Sequence, residues 1–371
     1  MNDHPSPASP RNDPLNILVT GGGGFLGKAI VRQLLARGHR VTSFSRQQHA
    51  SLDAMEVDQL CGDIANAGSV KDALRGRDAV FHTAAKAGVW GNFDAYAHAN
   101  VIGTRNVITA CRSCRVPMLI HTSSPSVIFD GGDMRGVDES TPYPSRYHAP
   151  YPQTKAMAEK DVLAATDEAL KTVILRPHLI WGPEDNHLVP RIIDRARRLR
   201  QVGDGRNRVD TLYIDNAARA HVLALEALQR DPRTISGKVY FVSDDAPIRL
   251  WEMVNRILDA AGKPPVRRTI SSRTAYAVGA VLEWGYRLLR LQGEPPMTRF
   301  VARELATDHW FDIGAAKRDL GYTATVTIDE GMRRLAAWLA ESAFATPKKN
   351  DKSADEPLSC RSSSNSSSQG D

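Results

Sequence analysis

A short apolar run that stops at four consecutive glycines constrains the fold more than any other feature of the chain. Residues 15–20 (LNILVT) have the composition of a buried β-strand, and residues 25–38, after the glycines, carry apolar residues at helical spacing. A strand, a tight turn and an amphipathic helix form the first unit of a sheet with helical crossovers. The pattern therefore predicts an α/β protein.

This pattern of strand and helix recurs along the first half of the chain. Residues 39–46, 78–85 and 116–124 have the pattern of strands, and residues 100–112 that of a helix between two of them. The alternation favours a Rossmann-type, doubly wound parallel sheet, and its weakening after residue 177 predicts a smaller, discontinuous C-terminal substrate lobe. The predicted Rossmann domain covers residues 14–185, and the chain is expected to return to it near 209–245. The predicted substrate lobe covers 186–208 and 246–342. Residues 1–13 and the Ser-rich residues 343–371 are predicted to be disordered tails.

The charge balance argues against a nucleic-acid partner. The formal net charge is only +6, and cationic residues are scattered among acidic ones except in residues 191–200 (RIIDRARRLR). The helical spacing of these cations predicts a solvated helix face, with an acidic ligand or a membrane surface as the alternative contact. Cys111 and Cys114 form a C-x-x-C pair without a second pair or a nearby His, so we interpret them as structural thiols and expect no metal site.

Two further segments bear on location and partners. Residues 1–14 lack the apolar core of a signal peptide, so we expect a cytoplasmic protein. Glu283, Arg287 and Arg290 interrupt the best candidate for a membrane span. The surrounding segment 274–300 combines apolar and aromatic residues with cations, which fits contact with a greasy ligand, an interfacial helix or plain core packing. A peripheral membrane contact and a homodimer therefore stay open.

Glycines recur every three residues at the turn between the first strand and the first helix. Pyrophosphate binding at such a turn needs backbone amides at close approach and the positive end of a helix dipole, and side chains would block it. Gly22, Gly24 and Gly27 satisfy the alternative G-x-G-x-x-G register, so the register stays open. The expected phosphate loop comprises Gly21, Gly24, Phe25, Leu26 and Gly27.

The end of the second predicted strand bears on the choice of dinucleotide. NAD needs an acid there to accept the ribose hydroxyls, whereas NADP brings a phosphate that an acid would repel. The chain has Ser45 and Arg46 at this position, and a guanidinium can bind phosphate oxygens with two nitrogens. We therefore expect NADP (NADPH) as the cofactor, with NAD as the alternative. Asp63, after the third strand, is expected either to contact the adenine amine or to cap the following helix.

A tyrosine–lysine pair and a run of three hydroxyl-bearing residues suit carbonyl chemistry. Tyr151 and Lys155 are four residues apart and so share a helix face. Hydride delivery to a ketone leaves an alkoxide that must gain a proton, and a tyrosine can supply it if an ammonium provides about 4 kcal/mol of support for the phenolate. Thr122, Ser123 and Ser124 follow a predicted strand, where one hydroxyl can hydrogen-bond the carbonyl oxygen. We select Ser124, with Ser123 as the alternative.

Taken together, these motifs resemble the extended short-chain dehydrogenases over roughly residues 15–340. The resemblance is closest to the branch of the 3β-hydroxysteroid dehydrogenases, the sterol-4-carboxylate 3-dehydrogenases and the bacterial 2-alkyl-3-oxoalkanoate reductases of olefin biosynthesis. Residues 84–91, 181–192 and 293–300 are most similar to the olefin-pathway reductases, whereas TSSPSVIFDG is similar to the sterol enzymes. The motifs are TGGGGFLG, GDI, FHTAAKAG, NVIGT, TSSPSV, YPQTK followed by Glu159, LRPHLIWGP and YIDNAARAH.

The resemblance implies a role for each matching residue. Ser124, Tyr151 and Lys155 would be catalytic, and Ser124 and Tyr151 would also contact the substrate. Ser45 and Arg46 depart from the NAD-preferring sterol enzymes. The remaining roles are Asp63 and Ile64 at the adenine, Ala84 and Ala85 at the inner phosphate and ribose, Asn100 as a support of the active-site helix, Pro177 and His178 beside the nicotinamide, and Lys86 as a partner for a substrate carboxylate.

The expected function is an NADPH-dependent reductase that interconverts a ketone and a secondary alcohol on a large apolar substrate, above all a 2-alkyl-3-oxoalkanoate. A 3β-hydroxysteroid or sterol-4-carboxylate 3-dehydrogenase is the alternative, and a sugar-nucleotide epimerase ranks third. Dehydration is disfavoured because Ser123 and Ser124 stand where dehydratases of this type carry an Asp-Glu pair.

Overall fold

The structure is a computed structural model that describes residues 13–345. Its strands are β1 Asn16–Thr20, β2 Arg40–Ser45, β3 Asp58–Cys61, β4 Ala79–His82, β5 Met118–Thr122, β6 Met134–Val137, β7 Lys171–Pro177, β8 Ile180–Trp181, β9 Gln201–Val202, β10 Arg208–Val209, β11 Leu212–Tyr213, β12 Lys238–Val242, β13 Ile248–Arg249, β14 Thr269–Ile270 and β15 His309–Phe311.

Fourteen α-helices connect or flank these strands within the described range. They are α1 Phe25–Leu35, α2 Ala50–Asp53, α3 Ala67–Leu74, α4 Phe93–Ala97, α5 Gly103–Cys114, α6 Pro150–Ala164, α7 Leu188–Arg195, α8 Ile214–Arg230, α9 Pro232–Ile235, α10 Leu250–Ala260, α11 Ser272–Leu288, α12 Arg299–Glu304, α13 Gly314–Leu320 and α14 Ile328–Ala345. A π-helical turn, His98–Ile102, precedes α5, and a 3₁₀ turn, Pro125–Ile128, follows β5.

The seven central strands form one parallel sheet in the order β12-β7-β5-β4-β1-β2-β3. The middle strands are apolar and buried on both faces; Ile17, Leu18 and Val19 of β1, for example, are inaccessible to solvent. Helices α1 and α8 pack against one another, as do α3 and α5. The strand order reverses between β1 and β4, so their carboxyl ends open a crevice at a topological switch point. The predicted doubly wound α/β fold is confirmed.

A smaller set of elements lies beside this sheet. A four-stranded sheet has the order β13-β10-β15-β6, and two short parallel pairs, β8 with β11 and β9 with β14, complete the strands. Strand β6 falls inside the range predicted for the Rossmann domain but pairs with β15, whereas β12, from the predicted return, joins the main sheet. The domain boundaries stay a prediction, and the two predicted tails lie outside the described residues except for 13 and 343–345.

Three local expectations need correction. The helix predicted over 100–112 begins as the π-helical turn and becomes α-helical only at Gly103; Asn100, in this turn, bonds to Lys86 and Thr154. The helical face predicted over 191–200 is cut short, since α7 ends at Arg195 and the following arginines lie outside it. Plain core packing of 274–300 is wrong for the outer side of α11, where Val281 and Trp284 are 68% and 66% exposed. Within residues 13–345 no helix is long and apolar enough to cross a bilayer, and the cytoplasmic location stays a prediction.

Candidate active site at the carboxyl edge of the sheet

The glycine turn brings β1 close to α1 because side chains are absent. Gly21 has φ +72°, and a Cβ on it would lie 3.1 Å from the backbone of Ala84. A Cβ on Gly27 would lie 2.2 Å from the carbonyl oxygen of Gly21, so the helix could not approach the strand. Gly24 is the exposed N-cap of α1 and caps it with no side chain. The first turn, with half-buried Phe25 and Leu26, therefore offers backbone amides and the positive end of the dipole to a pyrophosphate.

These contacts give each glycine of the first register a distinct role. The alternative register needs Gly22 instead of Gly21, and a Cβ on Gly22 would also clash, at 2.5 Å from the Ser43 hydroxyl. Gly21 is nevertheless the glycine of the turn with a left-handed backbone. The geometry therefore favours the register Gly21, Gly24 and Gly27 for the turn, the helix cap and the close packing.

The end of β2 carries an unneutralised cation. Ser45 is half-buried, with its hydroxyl 3.4 Å from that of Ser43. Arg46 is exposed and has no ion-pair partner within residues 13–345. Because no acid follows β2, an anionic group near the glycine turn would meet this guanidinium without competition.

At the end of β3, one predicted role for Asp63 is wrong. The N-cap of α3 is Asn66, whose side chain accepts a hydrogen bond from the amide of Ser69 at 3.0 Å. Asp63 instead accepts from the amide of Ala65 and keeps an exposed carboxylate. Ile64 is buried beside it. Asp63 and Ile64 thus stay candidates for the adenine contact.

The loop after β4 is joined to α6 by the buried side-chain amide of Asn100. Asn100 accepts from the amide of Lys86 at 2.7 Å and donates to the Lys86 carbonyl and to the hydroxyl of Thr154 on α6. Ala84 lies at the base of the loop, its amide bonded to the Thr20 hydroxyl at 3.2 Å, and Ala85 is exposed. Asn100 therefore fixes the distance between the loop and α6.

The three hydroxyls after β5 have different partners. Thr122 contacts a ring nitrogen of His221 at 2.9 Å. Ser123 is buried and donates a short hydrogen bond to Glu159. Ser124 has an extended backbone, so its side chain lies on the opposite side of the chain from that of Ser123. Its hydroxyl contacts the Ser126 hydroxyl at 2.9 Å and also hydrogen-bonds the Tyr151 side chain. Of these hydroxyls, Ser124 is therefore the one directed at Tyr151.

Helix α6 supplies the tyrosine and the lysine from one face. Burial raises the pKa of Tyr151, and the facing Ser124 hydroxyl opposes this shift by lowering it. Lys155 is almost fully buried and donates to the carbonyl of Thr122 at 2.5 Å. Burial lowers the pKa of Lys155 to about 8, against the raising effect of Glu159. Both side chains of this helix are thus desolvated in the folded protein.

A buried ion pair under the site holds these segments together. Arg176 of β7 donates to Glu159 of α6 through two nitrogens, at 2.5 and 3.1 Å, and Tyr143 donates to the same carboxylate at 2.7 Å. With Ser123 as a further donor, the Glu159 carboxylate is saturated. Removing a partner would leave a buried charge unpaired, so this cluster fixes α6 against β5 and β7.

The segment after β7 ends in Pro177 and His178. The Nδ1 atom of His178 donates to the carbonyl of Asp210 at 2.8 Å, and the ring packs edge-on against Phe311. Burial lowers the pKa of His178 to about 4, which keeps the ring neutral at physiological pH. His178 is therefore suited to shape the site rather than to supply a proton.

The loop after β4, α11, α12 and the start of α6 line an open cavity of about 390 Å³. Trp90, Pro150, Tyr286, Arg290 and Phe300 are among its lining residues, and Pro150 immediately precedes Tyr151. The side chain of Lys86 is exposed, with its ammonium 5.4 Å from the centre of the Tyr96 ring. The cavity thus includes the residue before Tyr151 in its lining and has both aromatic and cationic walls.

Two acids in this region have no counterpart in the sequence analysis. Glu294 bridges the loop to α7, accepting from the Val89 amide at 3.0 Å and pairing with Arg191 at 2.6 Å. Glu304, at the end of α12, has no hydrogen-bonding or ion-pair partner among the described residues. Burial raises the pKa of Glu304 to about 8, and its charge would raise that of Tyr151. Glu294 lies in the segment 293–300 that resembles the olefin-pathway reductases, whereas Glu304 belongs to no such segment and no sequence signal identifies it.

The architecture and the order of motifs agree with what comparison with known proteins finds. Residues 18–270 match the sequence model of the 3-beta hydroxysteroid dehydrogenase/isomerase family. The chain belongs to this family. It is therefore an NAD(P)-dependent oxidoreductase of the extended short-chain dehydrogenase type, as the resemblance implied.

Members of this family and more distant structures show how far the similarity extends. A 2-alkyl-3-oxoalkanoate reductase of Stenotrophomonas maltophilia is 53% identical over 87% of this chain and 99% of its own. The human sterol-4-alpha-carboxylate 3-dehydrogenase, decarboxylating, is 35% identical over 87% of this chain and 88% of its own. A UDP-glucuronic acid 4-epimerase from Bacillus cereus, solved with NAD, superposes with a TM-score of 0.69 at 22% identity, over 88% of this chain and 99% of its own, and so shares the fold.

Proposed function

We propose that the chain is an NADPH-dependent reductase that converts the oxo group of a large apolar substrate, a 2-alkyl-3-oxoalkanoate, to a secondary alcohol, with Tyr151 as the proton donor. The observation that carries the proposal is the separation of the serines after β5. The Ser123 hydroxyl donates its hydrogen bond to Glu159, whereas the Ser124 hydroxyl hydrogen-bonds the Tyr151 side chain. That leaves one hydroxyl and one phenol to hold a carbonyl oxygen between them.

When bound, the reduced nicotinamide would supply a hydride to the carbonyl carbon. As the π electron pair of the C=O bond moves to oxygen, the Ser124 and Tyr151 hydroxyls donate hydrogen bonds to that oxygen, and the Tyr151 proton transfers to it. The phenolate left on Tyr151 is stabilised by the ammonium of Lys155, which the Thr122 carbonyl holds in place. Solvent then returns the proton to Tyr151, and the alcohol leaves.

The residues at the cofactor crevice fit a dinucleotide, and those near β2 favour NADP. Side chains at Gly21 or Gly27 would close the cradle that the turn forms. We assign the pyrophosphate to the first turn of α1, the 2′-phosphate to Ser45 and Arg46, the adenine to Asp63 and Ile64, and the nicotinamide side to Ala84, Ala85, Lys155, Pro177 and His178. The free guanidinium of Arg46 supports the choice of NADP over NAD.

The substrate class rests on the cavity and on the bacterial relative. The cavity walls combine aromatic rings with cations, which suits an acyl chain ending in a carboxylate. Lys86 is a candidate partner for that carboxylate, and a neutral Glu304 would not repel it. The name of the 53% identical relative, 2-alkyl-3-oxoalkanoate reductase, supports the same class.

The test is the dependence of kcat/KM on acyl-chain length with NADPH and with NADH. Each buried methylene contributes about 0.8 kcal/mol, so kcat/KM for 2-alkyl-3-hydroxy acids in the oxidative direction should rise about fourfold per methylene until the cavity is filled. A 3β-hydroxysteroid and a UDP-sugar serve as comparison substrates. A flat series with good steroid turnover would assign the chain to the sterol enzymes, and conversion of the UDP-sugar alone would refute both assignments.

A further inference from the structure

The outer side of α11 and the turn after it are apolar and uncovered. Of the eight large hydrophobic side chains that the described residues expose, six lie between positions 278 and 291. Helical spacing aligns the first four on one side of α11, away from the buried Ala275, Gly279 and Glu283. We call this the α11 face; it consists of Val278, Val281, Trp284, Leu288, Leu289 and Leu291.

The sequence from residue 261 to residue 293, which contains the α11 face, exposes charge of one sign. Between residues 261 and 293 the chain has six cationic residues, all exposed, on both sides of the apolar stretch. The sole acid in this range is Glu283, which is buried and neutralised by Arg299 at 2.8 Å. The cations are Lys263, Arg267, Arg268, Arg273, Arg287 and Arg290.

We propose that the α11 face docks onto the surface of an anionic lipid bilayer, with α11 lying in the interface plane. An apolar helix face with a tryptophan and flanking cations has the chemistry of an interfacial helix, in which the side chains enter the acyl boundary and the arginines reach the headgroups. At 17 residues and with Glu283 on its inner side, α11 would lie on the bilayer rather than span it.

A second copy of this chain fits the face less well. A two-fold dimer would place the same patch against itself, so each cationic rim would meet an identical cationic rim. An anionic bilayer instead offers phosphate to the exposed cations. Lipid docking also places the cavity against the bilayer, because Tyr286, Arg287, Arg290 and Leu291, from this same segment, line it.

The test is cosedimentation of the full chain with extruded vesicles of phosphatidylcholine alone or with one quarter phosphatidylglycerol. We expect binding to the anionic vesicles that weakens as salt is added, and much weaker binding to pure phosphatidylcholine. An absence of binding to the anionic vesicles at low salt would overturn the proposal, as would equal binding to both compositions.

A first pair of variants tests the apolar part of the face. The double variant Val281→Ser and Leu288→Ser should lower partitioning by at least about tenfold. Leu60→Ser is the control, because Leu60 is an exposed apolar side chain on β3, far from α11 in sequence. Cofactor binding and thermal unfolding check that both variants are folded. Wild-type partitioning of the α11 double variant would refute the role of this face.

A second pair tests the charges. Arg267→Gln with Arg268→Gln should lower partitioning about fivefold per removed charge. Arg40→Gln with Arg230→Gln removes two exposed arginines elsewhere and should leave it unchanged. Sedimentation velocity without lipid tests whether a second copy of the chain covers the α11 face instead of a bilayer. If the double variant Val281→Ser and Leu288→Ser converts a dimer to a monomer, a second copy covers the face and the bilayer proposal is wrong.

Discussion

The carboxyl edge of the sheet and the substrate side formed by α11 and α12 differ in how their groups are satisfied. At the sheet edge, Ser123, Glu159 and Arg176 bond to one another, and Lys155 is held by a strand carbonyl. On the substrate side, Glu304 has no partner among the described residues, and α11 exposes apolar side chains. The groups that hold the candidate catalytic residues in place are thus satisfied within the fold, whereas the region of α11 and α12 leaves an acid and apolar side chains without a partner among the described residues.

The largest effect that this contrast predicts is at Tyr151. Tyr151→Phe removes the proton donor and should lower kcat by about a thousandfold or more, while the dissociation constant of NADPH stays nearly unchanged. Stopped-flow reduction and fluorescence titration measure the two quantities. Tyr147→Phe is the matched control, because the Tyr147 hydroxyl donates to the Val127 carbonyl and has no role in the proposed reaction. Full turnover by Tyr151→Phe would locate the acid elsewhere.

The adjacent serines provide the next test, since one change should affect rate and the other stability. Ser124→Ala removes a donor to the carbonyl oxygen and should lower kcat about a hundredfold. Ser123→Ala leaves the buried Glu159 with one donor fewer and should cost about 1–3 kcal/mol of unfolding free energy with little change in kcat. Kinetics and urea denaturation of both variants are the measurements. The reverse pattern would make Ser123 the reacting hydroxyl.

The choice of cofactor should be reversible at one position. Arg46→Asp removes a charge-assisted contact with the 2′-phosphate and adds a repulsion, so the preference for NADPH over NADH should fall by about 2 kcal/mol, roughly 30-fold. Arg40→Asp makes the same charge change at the other end of β2 and should leave the preference unaffected. The ratio of the two dissociation constants is the measurement. Equal binding of NADH and NADPH by the wild-type chain would contradict the assignment.

The last effect concerns Glu304, which has no hydrogen-bonding or ion-pair partner among the described residues. Burial raises the pKa of Glu304 from its ordinary 4.5 to about 8, so the folded protein binds a proton that the unfolded chain has lost above pH 4.5. This group therefore contributes less stability as pH rises from about 4.5 to 8. Relative to wild type, Glu304→Gln should therefore gain unfolding free energy between pH 5 and pH 8.5, because it lacks the carboxyl that must ionise in a desolvated site.

Urea denaturation at the two pH values measures this difference. Glu252→Gln is a suitable comparison, because Glu252 is exposed and pairs with Arg256 across one helical turn. Its unfolding free energy should follow that of wild type at both pH values. If Glu304→Gln also does so, the Glu304 carboxyl is not desolvated in the folded protein.

The same contrast explains what the sequence could predict. The glycine turn and the Tyr151–Lys155 pair are local patterns, because residues a turn apart meet whatever the remainder of the chain does. The choice between Ser123 and Ser124 needed the direction of each side chain after β5, and hence the position of Glu159 on α6. The cap at Asn66 instead of Asp63 depended on where β3 ends, which periodicity defines only within a few residues.

The substrate side could not be inferred in this way because its contacts join distant segments. Glu304 acts on Tyr151 from 153 positions away along the chain, and β6 pairs with β15 rather than with its sequence neighbours. The exposure of α11 is likewise decided by which elements pack on it, and an apolar helical pattern alone fits a core helix equally well. Long-range packing, which no local motif encodes, determines these features.

The most direct test of the account is isotope transfer from NADPH carrying deuterium at the reactive C4 position to a 2-alkyl-3-oxoalkanoate. The account predicts one deuterium at C3 of the hydroxy acid, detected by mass spectrometry, with one NADPH consumed per product and almost no product from Tyr151→Phe. Deuterium-free product, or conversion of a UDP-sugar without net consumption of the nicotinamide, would contradict it.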